Sequence, residues 1–567
     1  MKKMLFLKLA QLYEHLEKIT SGNSMRELIA KFFQITNTQE IKKVAYMTIG
    51  QISPQYCKIN LGLADKMVLR AIAQASKQKI ESVTKEYKQL GDAGLAAQKF
   101  VGKKRHDLTI TEVFDSLHKI AKSTGARSQE KKIDLLSELF ENASPIEAKY
   151  IARIALATLR LGVGDMTVLD SLAIAFTGTK HAKKELQIAY NTCPDIGIIA
   201  KTIATNGICG IRKIGTIIGR PIQMMLAQRV SNFEQVKEKI QGEICAEEKY
   251  DGERVQVHKK GNKITLYSRR LEDITLEFPE IVNEIKKNIK AKNCIIEGEC
   301  VAVDEKGNLL PFQIVMQRKR KYDILEYIKK VPVCFYVFDI LNLNGKSCIN
   351  KTYPKRRALI ERLIKETNKI QLAKRIVSFD LDDIEEFFNK TIERGGEGII
   401  AKSCAKDSVY TPGKRGWLWI KWKKDYVKKI ADTFDFVVVG AFFGRGKRAG
   451  SYGALLCAAY NPTKDIFETV CKLGCGFTDV QLLELLKIFK KHEVKTKPAR
   501  VIVNKILEPD VWIEPAIVVE VLGAELTKSP SHTAGLALRF PRFIRYRQDK
   551  KPEQATTNKE LIAMTKK

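Results

Sequence analysis

A chain of 567 residues is too long for one hydrophobic core, so several domains are expected, and the pattern of elements divides it into three. With 44% hydrophobic and 29% charged residues it reads as an ordinary folded protein, which excludes the disordered and fibrous classes. The formal net charge of +33 recurs along the chain, in Lys103-Lys104-Arg105, Arg318-Lys319-Arg320-Lys321 and Arg542 to Arg547, which favours nucleic acid over a membrane surface as partner.

The N-terminus begins like an export signal, but Lys8, Gln11 and Glu14 interrupt the apolar run. No other stretch is long enough to span a membrane, so no membrane partner is expected. Leu5, Leu9, Leu12, Leu16 and Ile19 share one helical face, and Ile151, Ile154, Ala155 and Thr158 repeat the spacing, so residues 1–215 should form an all-helical domain. Gly215 to Pro221, ahead of Met224-Met225-Leu226, marks the crossing into a second domain.

Over residues 216–425 the pattern turns to α+β. Val255 and Val257, a turn at Gly261-Asn262, then Ile264 and Leu266 predict a hairpin. Further strands are expected at 295–303, 332–341, 398–402 and 417–422, with helices near 280–289, 355–366 and 382–394. From 426 to 567, strands at 436–439, 454–460, 467–473 and 517–521 with one helix near 479–491 predict a small barrel. Thr557 followed by Glu560 is a capping-box signature for a last helix. No internal repeat is evident. The twelve cysteines lack paired short spacings apart from Cys471 and Cys475, which read as buried core; the set suits reduced thiols in the cytoplasm.

The strongest local signal is Glu247-Glu248-Lys249-Tyr250-Asp251-Gly252-Glu253-Arg254, which contains Lys-x-Asp-Gly-x-Arg. A lysine attacks phosphorus only as its neutral amine, so a site must deprotonate it; positive charge from Arg254 or a metal ion favours that form. Gly252 permits close approach of a phosphate. Taken alone, the segment is also compatible with a charged turn before a strand.

This segment resembles the first motif of the nucleotidyltransferases that include ATP-dependent DNA ligases, RNA ligases and mRNA-capping enzymes. The rest of the family's sequence follows in order: Ser268-Arg269-Arg270, Glu297-Gly298-Glu299, Phe335 to Gly345, Glu397 to Lys402, and Trp419 to Lys423. The resemblance implies that Lys249 becomes adenylylated by ATP, that Glu247 reads the adenine amino group, and that Arg254 and Arg269 contact phosphate or ribose. Phe338 falls at the adenine-stacking aromatic, although an aromatic in such a run is otherwise core. Glu299 and Glu397 match carboxylates that hold Mg²⁺ or the ribose, and Lys402, Arg415, Lys421 and Lys423 match the cations around the α-phosphate. Lys421 and Lys423 alternate along a strand and share a face, of a cleft or of a solvated edge.

Leu538 to Lys550 resembles the last motif of replicative DNA ligases, which implies that Arg539, Arg542 and Lys550 orient the departing pyrophosphate; a DNA-contacting basic strand is the other reading. Across nearly the whole chain the similarity is to archaeal and eukaryotic replicative ligases, the archaeal more closely. It implies a helical DNA-binding domain (1–215), a nucleotidyltransferase domain (216–425) and an OB-fold barrel with a C-terminal helix (426–567). The implied enzyme is an ATP-dependent DNA ligase sealing nicks in duplex DNA, as a nucleoid-associated monomer serving replication, repair, recombination and cell division. The barrel would swing about residues 423–429. Gln98-Lys99-Phe100-Val101 departs from a sliding-clamp peptide ending in paired aromatics, so a clamp partner through it is not supported. An RNA ligase or capping enzyme would leave the helical domain and Arg539 to Lys550 unexplained, an NAD-dependent ligase would carry a zinc-binding cysteine cluster, and an inactive DNA-binding scaffold would carry a broken motif.

Overall fold

The structure, a computed structural model, describes residues 3–102, 107–179, 181–230, 234–319, 330–423, 433–444, 451–523 and 525–565. These form two compact units, Met1–Ala71 with Gly102–Val427, and Ile72–Val101 with Lys428–Lys567. The expected pivot at 423–429, beyond Lys423 itself, and the runs Lys103-Lys104-Arg105 and Arg320-Lys321 lie outside the described residues.

The N-terminal region is helical from Phe6–Glu17 to Ile196–Arg212. Local sequence sets the helix starts: Thr109 with Glu112, and Ser144 with Glu147 ahead of Pro145, form capping boxes that satisfy otherwise orphaned N–H groups. In the first helix Leu9, Leu12 and Leu16 are buried as their spacing requires, whereas Leu5 caps it and Ile19 lies beyond its end. Glu17 ties this helix to Pro145–Ala155, accepting from Lys149 at 2.9 Å and Tyr150 at 2.8 Å and pairing with Arg153. Removing Glu17 would leave two buried cations unpaired, at a cost on the order of 3 kcal/mol, whereas Glu17, itself in contact with solvent, loses less without them.

An internal repeat, not expected from the sequence, is present at an offset of 100 residues. Leu61-Gly62-Leu63-Ala64-Asp65 and Leu161-Gly162-Val163-Gly164-Asp165 each lead into a helix, Asp65–Ser76 and Asp165–Thr177. The helices before them end alike: Gln51 N donates to Tyr46 O and Thr158 N to Arg153 O, with Gly50 and Ala157 in left-handed conformations at φ 71° and 53°. The repeat is a turn chemistry used twice, diluted by a dissimilar stretch between the copies.

Two sheets follow in the same unit. One has the order β1 (Leu226–Arg229), β11 (Arg415–Lys423), β10 (Gly398–Ser403), β2 (Ile244–Lys249), β9 (Arg375–Ser378). The other has the order β4 (Lys263–Ser268), β3 (Glu253–Lys260), β5 (Asn293–Ala302), β6 (Val333–Leu343), β7 (Lys346–Ser347), with β8 (Ile370–Leu372) added to β6. Strand alternation gives each sheet an apolar face covered by a helix. Ile244, Ala246, Ile399, Ala401, Ile420 and Trp422 pack with Ile384, Phe387 and Phe388 of the helix Leu381–Glu393. Val255, Val257, Leu266 and Ile296 pack with Ile281 and Ile285 of the helix Pro279–Asn288 and Ile360 of Tyr353–Leu363. The residues between these, polar and aromatic, are left for the other faces.

In the second unit, β12 (Thr433–Phe443), β13 (Tyr452–Asn461), β14 (Ile466–Leu473), β15 (Glu493–Val494), β16 (Val501–Ile502), β17 (Val511–Ile513), β18 (Val518–Leu522) and β21 (Arg542–Tyr546) form one sheet, and β19 (Glu525–Lys528) pairs with β20 (Leu536–Arg539). The expected capping box forms, with Thr557 N donating to Glu560 Oε2 at 2.7 Å ahead of the helix Asn558–Thr565. Cys475 is exposed, which corrects the expectation of a buried pair; Cys471 is buried opposite Cys457 on β13.

Candidate active site

The polar faces of the two sheets meet at one site. β2 carries Cys245, Glu247 and Lys249 on one side, β10 carries Ile400 and Lys402, and β11 carries Trp419, Lys421 and Lys423. Register fixes their order: Gly398 pairs with both Lys249 and Lys423, and Ile400 with both Glu247 and Lys421. Gly398 is required at this crossing, because its φ is +145° and a Cβ there would stand 2.1 Å from the Trp422 carbonyl oxygen.

Lys249 Nζ is paired with Glu397, the residue before β10, and Lys423 Nζ lies 2.8 Å from the same carboxylate. Burial works against ionisation of Glu397, but Lys249 and Lys423 outweigh it and hold the carboxyl below its usual range. Lys421 is also held below its usual range: burial first, then the charges of Lys423, Arg415, Lys249 and Arg269, disfavour its ammonium form. Arg415 and Arg269 are therefore within electrostatic reach of the cluster while themselves exposed.

Facing Lys249 from the other sheet, Glu299 of β5 is opposite Arg254 of β3. Burial pushes its carboxyl up to about 8, only partly offset by Lys249 and Arg254. Asp251 is also raised by burial, though its Oδ2 accepts from Phe312 N at 3.0 Å. Gly252 allows the turn between them to press on β5, since a Cβ would meet the Cys300 carbonyl oxygen at 2.4 Å. Glu299 makes no hydrogen bond or ion pair to protein among the described residues, so its oxygens are open to an incoming cation, whose charge would favour the carboxylate form that burial disfavours.

Packed aromatic rings adjoin this cluster. Phe338 of β6 and Trp419 stand edge to face at 6.2 Å, with the Arg254 guanidinium 5.3 Å from the first ring and 5.6 Å from the second. Lys402 Nζ lies 4.4 Å from Trp419 and pairs with Glu247 at 2.5 Å; Glu247 also accepts from Tyr353 Oη and lies 3.5 Å from Arg357. Phe338 is half-buried, packed against apolar residues of both sheets with part of its ring left open.

Sequence reasoning assigned no role to Trp419, Tyr353 or Tyr410. Trp419 had a signal, the period of two that it shares with Lys421 and Lys423. Tyr353 and Tyr410 had none, because they enter from segments outside the motifs. Arg539 and Arg542 belong to the second unit, exposed on either side of Phe540, itself in a left-handed conformation at φ 53°. Lys550 there donates to Asp435 at 2.6 Å, beside Arg547.

An amine held by a carboxylate among further cations, beside a partly exposed aromatic ring, suits attack on the α-phosphorus of a bound nucleotide. The comparisons agree. Family models described as the DNA ligase N terminus, the ATP dependent DNA ligase domain and the ATP dependent DNA ligase C terminal region match residues 5–173, 224–423 and 448–550. DNA ligase 1 of Methanosarcina acetivorans is 46% identical, over 98% of this chain and 98% of that protein. The DNA ligase of Staphylothermus marinus is 44% identical over 100% and 99%, and that of Aeropyrum pernix 42% over 100% and 98%. Among solved structures, Pmar-Lig_PreS3 shares the fold at a TM-score of 0.55 and 19% identity, covering 95% of this chain and 99% of its own. Motif order, paired sheets and full-length similarity together place the chain in the family of ATP-dependent DNA ligases, the enzymes that seal nicks in DNA.

Proposed function

We propose that Lys249 carries the adenylate. The observation behind this reading is the pairing of Lys249 with Glu397 at the crossing of β2, β10 and β11. The neutral amine attacks the α-phosphorus of ATP, a nitrogen–phosphorus bond forms, the bond to the β-phosphate oxygen breaks, and pyrophosphate leaves. Glu397 accepts the amine's proton. Phe338 stacks on the adenine, Glu247 accepts from its amino group, and Arg254, Arg269, Lys402, Arg415, Lys421 and Lys423 bind phosphate or ribose. AMP then passes to the 5′-phosphate of a nick, and the 3′-hydroxyl displaces it to close the backbone.

Glu299 and Glu397 are the carboxylates suited to Mg²⁺, which supplies charge neutralisation on the phosphates when bound. Arg539, Arg542 and Lys550 orient the leaving pyrophosphate when the barrel is engaged. The working division is a DNA-binding region over 1–215, a nucleotidyltransferase domain over 216–425 and a barrel over 426–567. The enzyme acts on nicked duplex as a monomer, in the replication, repair and recombination of a cytoplasmic nucleoid. Among the described residues no helix is long and apolar enough to cross a membrane.

Mass spectrometry after incubation with ATP and Mg²⁺ should show one added AMP on Lys249, absent from Lys249→Ala. That variant should join ATP-dependent nicks at least a thousandfold more slowly, yet retain measurable sealing of nicks already adenylylated at the 5′ end. Normal joining from ATP by Lys249→Ala would overturn the reading.

A further inference from the structure

Residues 219–225, between the last N-terminal helix and β1, have no regular secondary structure, yet Ile222, Met224 and Met225 are buried. Buried irregular backbone must find partners for its N–H and C=O groups. Here side chains of β3 and β4, with Tyr410 from the loop between β10 and β11, supply most of them, and backbone of Asn191 and Gly413 serves Gln223. Gly219 N donates to His258 Nδ1 at 2.9 Å, and Tyr267 Oη donates to Gly219 O at 3.0 Å. Ile222 N donates to Gln256 Oε1 at 2.7 Å, and Gln256 Nε2 donates back to Ile222 O at 3.1 Å. Met225 N donates to Tyr410 Oη at 2.8 Å, and Arg254 donates to Met225 O at 2.8 Å.

Donor and acceptor roles run through this network without conflict. Because Gly219 N–H occupies Nδ1, the His258 proton sits on Nε2 and is given to Gln256 Oε1 at 2.9 Å. Gln256 Nε2 also donates to Glu297 Oε1 at 3.0 Å. Glu297 Oε2 accepts from Arg254 at 2.8 Å and from Tyr410 Oη at 2.9 Å. Arg254, Gln256 and His258 are alternate residues of β3 and so share a face, and Glu297 stands opposite Gln256 on β5. Arg254 Nε is buried and has no hydrogen-bond partner among the described residues, a donor left over beside the Phe338 ring.

We propose that Gln256 is a positioning residue for Arg254: through Glu297 and the backbone of Ile222 it makes the segment 219–225 the frame that aims this guanidinium at the nucleotide. The inference rests on the assignment of Arg254 to nucleotide binding made above. It makes the segment a fixed wall of the site rather than a flexible tether. Gln256 and Tyr410 then act on ATP without touching it, and their loss is felt only through Arg254.

The test is a double-mutant cycle on the full-length chain, reading Lys249 adenylylation against ATP concentration with thermal melting as a fold control. Gln256→Met and Tyr410→Phe should each lower adenylylation efficiency about tenfold or more, mainly through KM for ATP. Combined with Arg254→Ala, either should add less than about twofold to the loss caused by Arg254→Ala alone. Tyr410→Phe removes one oxygen and keeps the cycle decisive if Gln256→Met folds poorly. Multiplying losses in the double variants, or wild-type efficiency in Gln256→Met and Tyr410→Phe while Arg254→Ala is impaired, would overturn the positioning role and leave the site assignment standing. Normal adenylylation by Arg254→Ala would remove the assignment itself, and the proposal with it.

Discussion

At the scale of single residues, the site separates what a motif reveals from what packing decides. Lys249, Glu397, Lys421 and Lys423 were legible because each lies in a short segment whose chemistry is unusual for a strand. Tyr353 and Tyr410 were not, since a tyrosine between motifs carries no sign of where its hydroxyl will end. His258 is the sharper example: nothing in Val257-His258-Lys259 distinguishes a surface histidine from one sealed between Gly219 and Gln256. Burial lowers its pKa from the ordinary 6.5 to about 3. The unfolded chain therefore takes up a proton below about pH 6.5 that the folded chain refuses until about pH 3. Stability linked to His258 is fully present above pH 6.5 and declines as the pH falls toward 3, by at most about 1.4 kcal/mol per unit. Denaturant unfolding of the wild type and His258→Asn should show a stability gap that narrows between pH 7 and pH 4.5. A gap independent of pH over that range would mean that the ring is protonated in the fold.

At the scale of elements, local patterning did most of the work. The hairpin at Val255 to Leu266 was readable from apolar residues at every second position, and the strands near 295, 333, 398 and 417 from short runs of apolar, β-branched and aromatic residues. β2 was harder: Glu247-Glu248-Lys249 interrupts its alternation, so the strand bearing the lysine looks like a charged turn. The repeat around Gly62 and Gly162 escaped notice because its offset far exceeds the 20 to 50 residues typical of stacked repeats. β10 is the element on which the site turns, since it joins the strand of Lys249 to that of Lys421 and Lys423. Gly398→Ala would force a Cβ onto the Trp422 carbonyl at a backbone angle reserved for glycine, so β10 and β11 must part there. The expected cost is about 3 kcal/mol or more in chemical denaturation, with Lys249 adenylylation reduced beyond what the lost stability explains. A variant as stable and as active as wild type would show that the pairing at Gly398 is dispensable.

At the scale of the whole molecule, composition spoke before structure did. Lysine and arginine total 98 against 65 aspartates and glutamates, and basic residues recur in every region rather than in a tail. Such a surface neutralises phosphates and releases their counterions, a contribution that depends on salt and not on base sequence. The adenylylation proposed for Lys249 would draw its charge from a small set of partly buried groups around that residue, which salt screens far less than exposed charges. The two activities should therefore part company as salt is added. Fluorescence anisotropy with a nicked duplex should give a plot of log affinity against log KCl with a slope of about −5 or steeper, corresponding to roughly six or more neutralised phosphates. Over the same range, the rate at which the chain adenylylates itself from saturating ATP should change by less than about threefold. Intact duplex of the same length should show nearly the same slope with a lower intercept, because the nick adds local contacts while the phosphates on either side remain the same. A shallow slope, or self-adenylylation falling in parallel with DNA affinity, would locate the excess positive charge at the nucleotide instead of along the duplex.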